Sequence, residues 1–190
     1  MVRKKQPARI PVGISSCLLG EPVRYDGAHK RDSNITGRLT DLFDYHPICP
    51  EVGIGMGVPR EPIQLVRVNG SDGEIRVRQV SDPAVDVTEQ LHDFAAQTAN
   101  HLQLICGYIF KARSPSCGIA DVNIYNEQGR LNETPGSGAF AAEIIKAMPN
   151  LPVINEEQLQ DAAACDDFIE RTLAYARGKG ILSGDIDLNE

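Results

Sequence analysis

The sequence predicts an α/β fold: a mostly parallel central sheet flanked by helices, with a β-hairpin excursion. Three observations carry that expectation. Short apolar runs, RIPVGIS (9–15), LICGYIF (104–110) and LPVIN (151–155), alternate with stretches of helical period, and strands interleaved with helices build parallel sheets. Two runs of alternating polarity within 63–80 flank Asn69-Gly70 and Asp72-Gly73, the turn chemistry of a hairpin. The chain has 190 residues, 42% of them hydrophobic, enough for one domain to bury a core without disulfide staples.

The elements follow in chain order. Residues 9–15 read as a short buried strand. Ile35, Leu39, Leu42 and Phe43 recur at helical spacing within 34–44, with Asp32, Ser33 and Asn34 as candidate caps. HPIC (46–49) reads as a brief extended segment, and 63–80 as the hairpin, either extending the main sheet or forming a separate ribbon. Val87, Leu91, Phe94 and Leu102 mark an amphipathic helix over 86–103. A strand over 104–112 comes next, then a second hairpin-type excursion over 121–131. A helix at about 138–148, a strand at 151–155 and a long helix at about 156–178 complete the fold. One domain over 1–190 is expected, with its core at about 10–178 and flexible tails.

Composition excludes several classes. No stretch reaches the ~18 apolar residues of a membrane helix, and the apolar run near the start holds Pro11 and Gly13, which rules against a signal peptide. A cytoplasmic location with reduced thiols is expected. The net charge of −7 argues against bulk nucleic acid as partner. Basic residues nevertheless crowd at Arg24, Lys30, Arg31 and Arg38, with Arg60, Lys111 and Arg113 beside other motifs. Such clustering suits a local cationic mouth for a small anion. The oligomeric state is left open.

Five cysteines are present. Cys106 falls within a predicted strand and Cys165 within a predicted helix, where small core hydrophobes are expected. Cys17 comes just after the strand 9–15, Cys49 ends the segment 46–49, and Cys117 lies just beyond the strand 104–112. C-terminal strand ends share one edge of a parallel sheet, where ligands bind, so three thiols from distant segments can meet there. A three-thiolate iron–sulfur cluster with one open iron satisfies the count. Zinc completed by His29 or His46, a lone thiol nucleophile and no joint function at all remain open at this level. Glu51 follows Cys49 in a loop rich in Gly and Pro, and Lys111, Arg113, Ser114 and Ser116 flank Cys117. TPGSGAFAAEII (134–145) offers either an anion site at a helix N-terminus or Ser137 as a plain N-cap.

The segments SSCLLGEPVRYDG, CPEVGIGMGVPREP and KARSPSCG, in this order, resemble the thiouracil desulfidase family, formerly a domain of unknown function. The resemblance covers about residues 10–178, and the three-motif combination is specific. It implies a [4Fe-4S] cluster on Cys17, Cys49 and Cys117 whose fourth iron accepts substrate sulfur. It implies Glu51 and Ser114 as catalytic residues, with Glu51 activating water and Ser114 positioning the ring or relaying a proton. The implied reaction is redox-neutral, hydrolytic desulfuration of 4-thiouracil or its nucleotide to a uracil-type product and hydrogen sulfide. Arg24, Tyr25, Asp26, Arg60, Arg113 and Ser116 are the candidate substrate-binding residues. A zinc- or cluster-stabilised nucleotide-binding or sulfur-carrier module without turnover is the alternative.

Overall fold

The computed structural model describes residues 9–69, 73–132 and 134–182. The readings made for the chain ends and for the hairpin tip at 70–72 lie outside the described residues. Strand β1 (Ile10–Ser15) runs through the middle of the main sheet. It pairs in parallel with β2 (Phe43–Ile48) on one side and β5 (Gly107–Phe110) on the other, and β5 pairs in parallel with β7 (Val153–Asn155). The order is β2-β1-β5-β7; helices pack on both faces of the sheet, so the central strands β1 and β5 are buried almost throughout, while the edge strand β2 keeps Asp44, His46 and Pro47 exposed.

On one face Ile10, Val12 and Ile14 of β1 meet Phe168, Ile169 and Leu173 of helix α5 (Ala162–Gly178) and Ile35 of the short helix α1 (Ser33–Thr36). On the other face Tyr108 and Phe110 of β5 pack against α3 (Thr88–His101) and α4 (Ala139–Ala147) through Ala95, Ala99, Phe140 and Ile144. β1 turns Pro11, Gly13 and Ser15 toward this second face, as the two-residue period of a strand requires. Their small size matters, because a Cβ at Gly13 would stand 2.4 Å from Tyr108 Cδ2. The tyrosine ring therefore lies directly on the β1 backbone.

The hairpin forms a separate sheet. β3 (Ile63–Arg67) and β4 (Ile75–Gln79) pair antiparallel, with Leu65 opposite Val77, and β6 (Ile124–Asn126) joins β3 in parallel. Leu65, Val77 and Ile124 bury against Val87 and Leu91 at the start of α3. The 121–131 segment supplies β6 and turns back through an isolated Tyr125–Leu131 bridge.

Several expected boundaries move. The 34–44 helix is two single turns: α1 ends at Gly37 (φ −108°, ψ −98°), a 3₁₀ turn spans Arg38–Asp41, and Phe43 opens β2. Asp32 is the cap of α1, accepting from the amides of Asn34 and Ile35. The expected strand 104–112 is confined to Gly107–Phe110, with Leu104 exposed in the preceding turn. The long final helix begins only at Ala162, where Asp161 accepts from the Ala164 amide after a 3₁₀ turn at Gln158–Gln160. The segment after Cys49 is helical: α2 (Pro50–Gly53) starts with Cys49 as N-cap and proline at its first position, where a missing N–H costs nothing.

Candidate active site at the strand ends

Every strand of the main sheet delivers side chains to one cavity of about 590 Å³. β1 ends in Ser15 and leads to Cys17, β2 leads to Cys49 and Glu51, β5 to Lys111, Arg113, Ser114 and Cys117, and β7 to Glu156 and Glu157. The carboxyl ends of parallel strands are where open α/β sheets bind ligands, and the volume suits a small molecule.

Cys17 sits in a 3₁₀ turn (Ser16–Leu19) closed by Gly20 at φ 100°, a left-handed conformation favoured by glycine. The Cys17 carbonyl accepts from the Lys30 amide at 2.9 Å, folding the 20–30 loop back over the site. Cys49 lies under that loop, its Sγ 3.8 Å from the Val23 carbonyl. Cys117 is shaped by its own motif. Ser114 Oγ accepts from the amides of Ser116 and Cys117 at 3.2 and 3.1 Å, and the Gly118 amide donates to Ser114 O. The turn then docks on α4, where the Ala139 and Ala141 amides donate to the carbonyls of Pro115 and Ser116. Those donors are therefore spent on the cysteine loop and not on an anion. The N-cap is Gly138, while the Ser137 hydroxyl donates to the Ile119 carbonyl.

Burial pushes the Cys17 thiol up to about 11, with Lys111 and Arg24 opposing and Cys49 and Glu156 reinforcing the shift. The Cys49 thiol is raised by burial, against which the Val52 amide pulls. Cys117 is held well above the ordinary thiol range by burial, with a hydrogen bond from Ser15 opposing. The thiols act on one another electrostatically, so they share one environment. All five cysteines are free; Cys106 and Cys165 are buried in the core.

Glu51 is held on both carboxylate oxygens. Oε2 accepts from Arg60 Nε at 2.8 Å and Nη2 at 2.6 Å, and Oε1 accepts from Ser116 Oγ at 2.9 Å. The side chains of Glu51 and Arg60 are only 14% and 6% exposed, so solvent screens this pair weakly. Arg60 thus lines the cavity but is committed to Glu51, and Ser116 is fully buried outside the lining.

Arg24 and Tyr25 line the cavity, with the guanidinium 5.4 Å from the ring centroid. Asp26 does not; it accepts from the Ala28 amide and pairs with Arg24, ordering its own loop. Arg113 reaches the rim with a left-handed backbone (φ 58°) and pairs with Glu157. His29 and His46 stand away from the cavity lining. Ser15 and Glu156 went unselected in the sequence. Ser15 Oγ accepts from the Lys111 amide at 3.0 Å, and Glu156 binds both the Lys111 ammonium and the Ala112 amide. Both follow directly from the strand-end logic that selected the cysteines: Ser15 closes β1, and Glu156 is the first residue after β7.

A model of the 2-thiouracil desulfurase family matches residues 12–157, a span holding all three cavity cysteines and Glu51. The chain belongs to that family. A relative, the uncharacterized protein YbbK of Bacillus subtilis (strain 168), is 35% identical over 153 residues, covering 78% of this chain and 97% of YbbK. A solved structure of the [4Fe-4S]-dependent thiouracil desulfidase TudS superposes with a TM-score of 0.62 at 31% identity. That match covers 84% of this chain and 99% of TudS. The α/β architecture expected from the sequence is the architecture found.

Proposed function

We propose that this member of the family removes sulfur from a thiolated pyrimidine, 4-thiouracil or its nucleotide, by hydrolysis without net electron transfer. Water replaces the sulfur at the ring carbon: the C–S double bond gives way to a C–O double bond, and the sulfur leaves as hydrogen sulfide. The observation that carries this reading is the meeting of Cys17, Cys49 and Cys117 with the Arg60-held Glu51 around one cavity.

The donor set fits a [4Fe-4S] cluster. Three thiols reach the cavity from three strand ends, and Lys111 and Arg24 lie near enough to offset thiolate charge. Among the described residues no three His, Cys, Asp or Glu side chains stand close enough to wrap a single ion, as a zinc site with ~2.3 Å bonds demands. When bound through these cysteines, the cluster supplies one iron without a protein ligand, a Lewis acid matched to a soft thiocarbonyl sulfur.

The remaining roles belong to the chain. Glu51 takes a proton from the attacking water through a lone pair left free of Arg60 and Ser116, and those two are its positioning residues. Ser114 uses its oxygen to accept two backbone N–H groups, which frees its O–H to donate toward the ring or relay a proton. Arg24 and Tyr25 form the wall a ring or phosphate meets, and Lys30 adds positive charge there. The acidic chain turns away bulk nucleic acid, and free thiols suit a reducing cytoplasm.

The test is Glu51→Gln after anaerobic cluster reconstitution. Expected is unchanged iron content with 4-thiouracil turnover reduced ~10²–10⁴-fold, the range for losing a positioned base. Full activity in the variant would show that Glu51 is not the base.

A further inference from the structure

Lys111 is the first residue after β5 and lines the cavity, as does Glu156, the first residue after β7. The two form a nearly closed unit. Lys111 Nζ donates to the Glu156 carboxylate and, at 2.9 Å, to the Ala112 carbonyl. The other Glu156 oxygen accepts from the Ala112 amide at 2.7 Å. Ser15 Oγ accepts from the Lys111 amide at 3.0 Å, which fixes the root of the side chain beside the end of β1. The two side chains are only 14% and 12% exposed.

As scaffolding, such a pair contributes little. Apolar side chains of similar volume commonly hold two segments as well or better, because the charges must first be stripped of water. What the pair does supply is a fixed donor at the cavity wall. An ammonium carries three N–H groups, and the protein takes two of them. The third is left for whatever occupies the cavity. Its partner is not an anion. Glu156 already balances the charge of Lys111 and lines the same cavity, so a phosphate would meet a carboxylate beside the ammonium. A neutral carbonyl oxygen is the acceptor that fits.

We propose that Lys111 binds the ring carbonyl oxygen that a thiolated pyrimidine keeps beside its thiocarbonyl, with Glu156 as its positioning residue. The inference rests on the desulfuration proposed above. Glu51 follows β2, whereas Lys111 and Glu156 follow β5 and β7 across the order β2-β1-β5-β7. The contact that orients the ring and the base that activates water thus come from different strands. Lys111 is a specificity residue: a site built around a buried donor rejects a ring without the acceptor, because the donor is then left unpaired.

The experiment measures binding of uracil and of pyrimidin-4-one, which lacks the second carbonyl, by titration calorimetry. The proteins are anaerobically reconstituted wild type, Lys111→Met and Lys111→Met/Glu156→Gln. The double variant leaves no buried charge unpaired and keeps an acceptor for the Ala112 amide, so a loss of folding is separated from a loss of binding. Wild type is expected to bind uracil about 10–100-fold more tightly than pyrimidin-4-one, the range for a hydrogen bond to a charged group. Both variants are expected to bind the two rings equally, with kcat/KM for 4-thiouracil lowered by a similar factor. A preference for uracil that survives in either variant overturns the contact and leaves the proposed reaction standing. So does a wild type that turns over 4-thiouracil without preferring uracil. A preference that vanishes in both variants, in a protein with no turnover of 4-thiouracil, upholds the contact and contradicts the reaction.

Discussion

Glu51 shows how much of a site is decided by a single contact. Its carboxylate is gripped by Arg60 and Ser116, so truncating Arg60 leaves a poorly solvated charge without its partner. Arg60→Met is expected to lower stability by ~3 kcal/mol, as for breaking other buried ion pairs, and to lower kcat more than it raises KM. Chemical denaturation and steady-state kinetics check this; a pure KM effect would return Arg60 to the substrate. The residue types at this site were legible in the sequence, and their partnerships were not. Glu51 and Ser116 stood out beside cysteines, and Arg60 as a basic residue in the motif that begins at Cys49. That Ser116 reaches across 65 residues to Glu51 depends on strand order, which no local pattern contains. Cys106 and Cys165 were legible for a different reason, since they fall inside a predicted strand and a predicted helix.

At the scale of elements, the docking of the Cys117 turn onto α4 is steric as well as hydrogen-bonded. Gly138 has an ordinary φ of −63°, yet a Cβ there would stand 2.5 Å from the Ser116 carbonyl carbon and 2.8 Å from the Cys117 amide nitrogen. Gly138→Ala must push the cysteine turn outward. Expected are a stability loss of ~1–3 kcal/mol, typical of overpacking, and reduced iron content after reconstitution. Gly178→Ala is the control: nothing lies within 4 Å of its added carbon, and replacing a helical glycine is expected to stabilise by ~0.5–1 kcal/mol. Equal melting temperatures for Gly138→Ala and wild type would refute the docking. The 34–44 segment shows where element reading fails. Ile35, Leu39 and Leu42 keep helical spacing, but pairing with β1 draws the chain from Phe43 into a strand. Short apolar windows cannot separate helix from strand when a distant partner decides.

For the molecule as a whole, the two sheets are tied through α3. Asp86 accepts from Arg76, Arg78 and the Thr88 hydroxyl and amide just before α3 begins. Burial would raise its pKa, but these hydrogen bonds outweigh it and hold the carboxyl well below its usual 3.8. A depressed folded-state pKa contributes stability above the unfolded value that is lost as pH falls. Asp86→Asn is thus expected to be less stable than wild type at pH 7, with the difference shrinking as pH drops below ~4. A difference independent of pH would refute the linkage. At this scale the sequence was most informative. Alternating strands and helices implied the parallel sheet, and the sheet implied a shared edge for the thiols. The separate placement of β3, β4 and β6 stayed open because a hairpin can either join a sheet or start one.

The central claim, that Cys17, Cys49 and Cys117 together hold one iron–sulfur cluster, is tested most directly by counting iron and sulfide after anaerobic reconstitution. Wild type, Cys106→Ser and Cys165→Ser should each bind about four irons per chain. Cys17→Ser, Cys49→Ser and Cys117→Ser should each lose most of that iron. One zinc and no iron in wild type, or full iron retention in any of the three cavity variants, would contradict it.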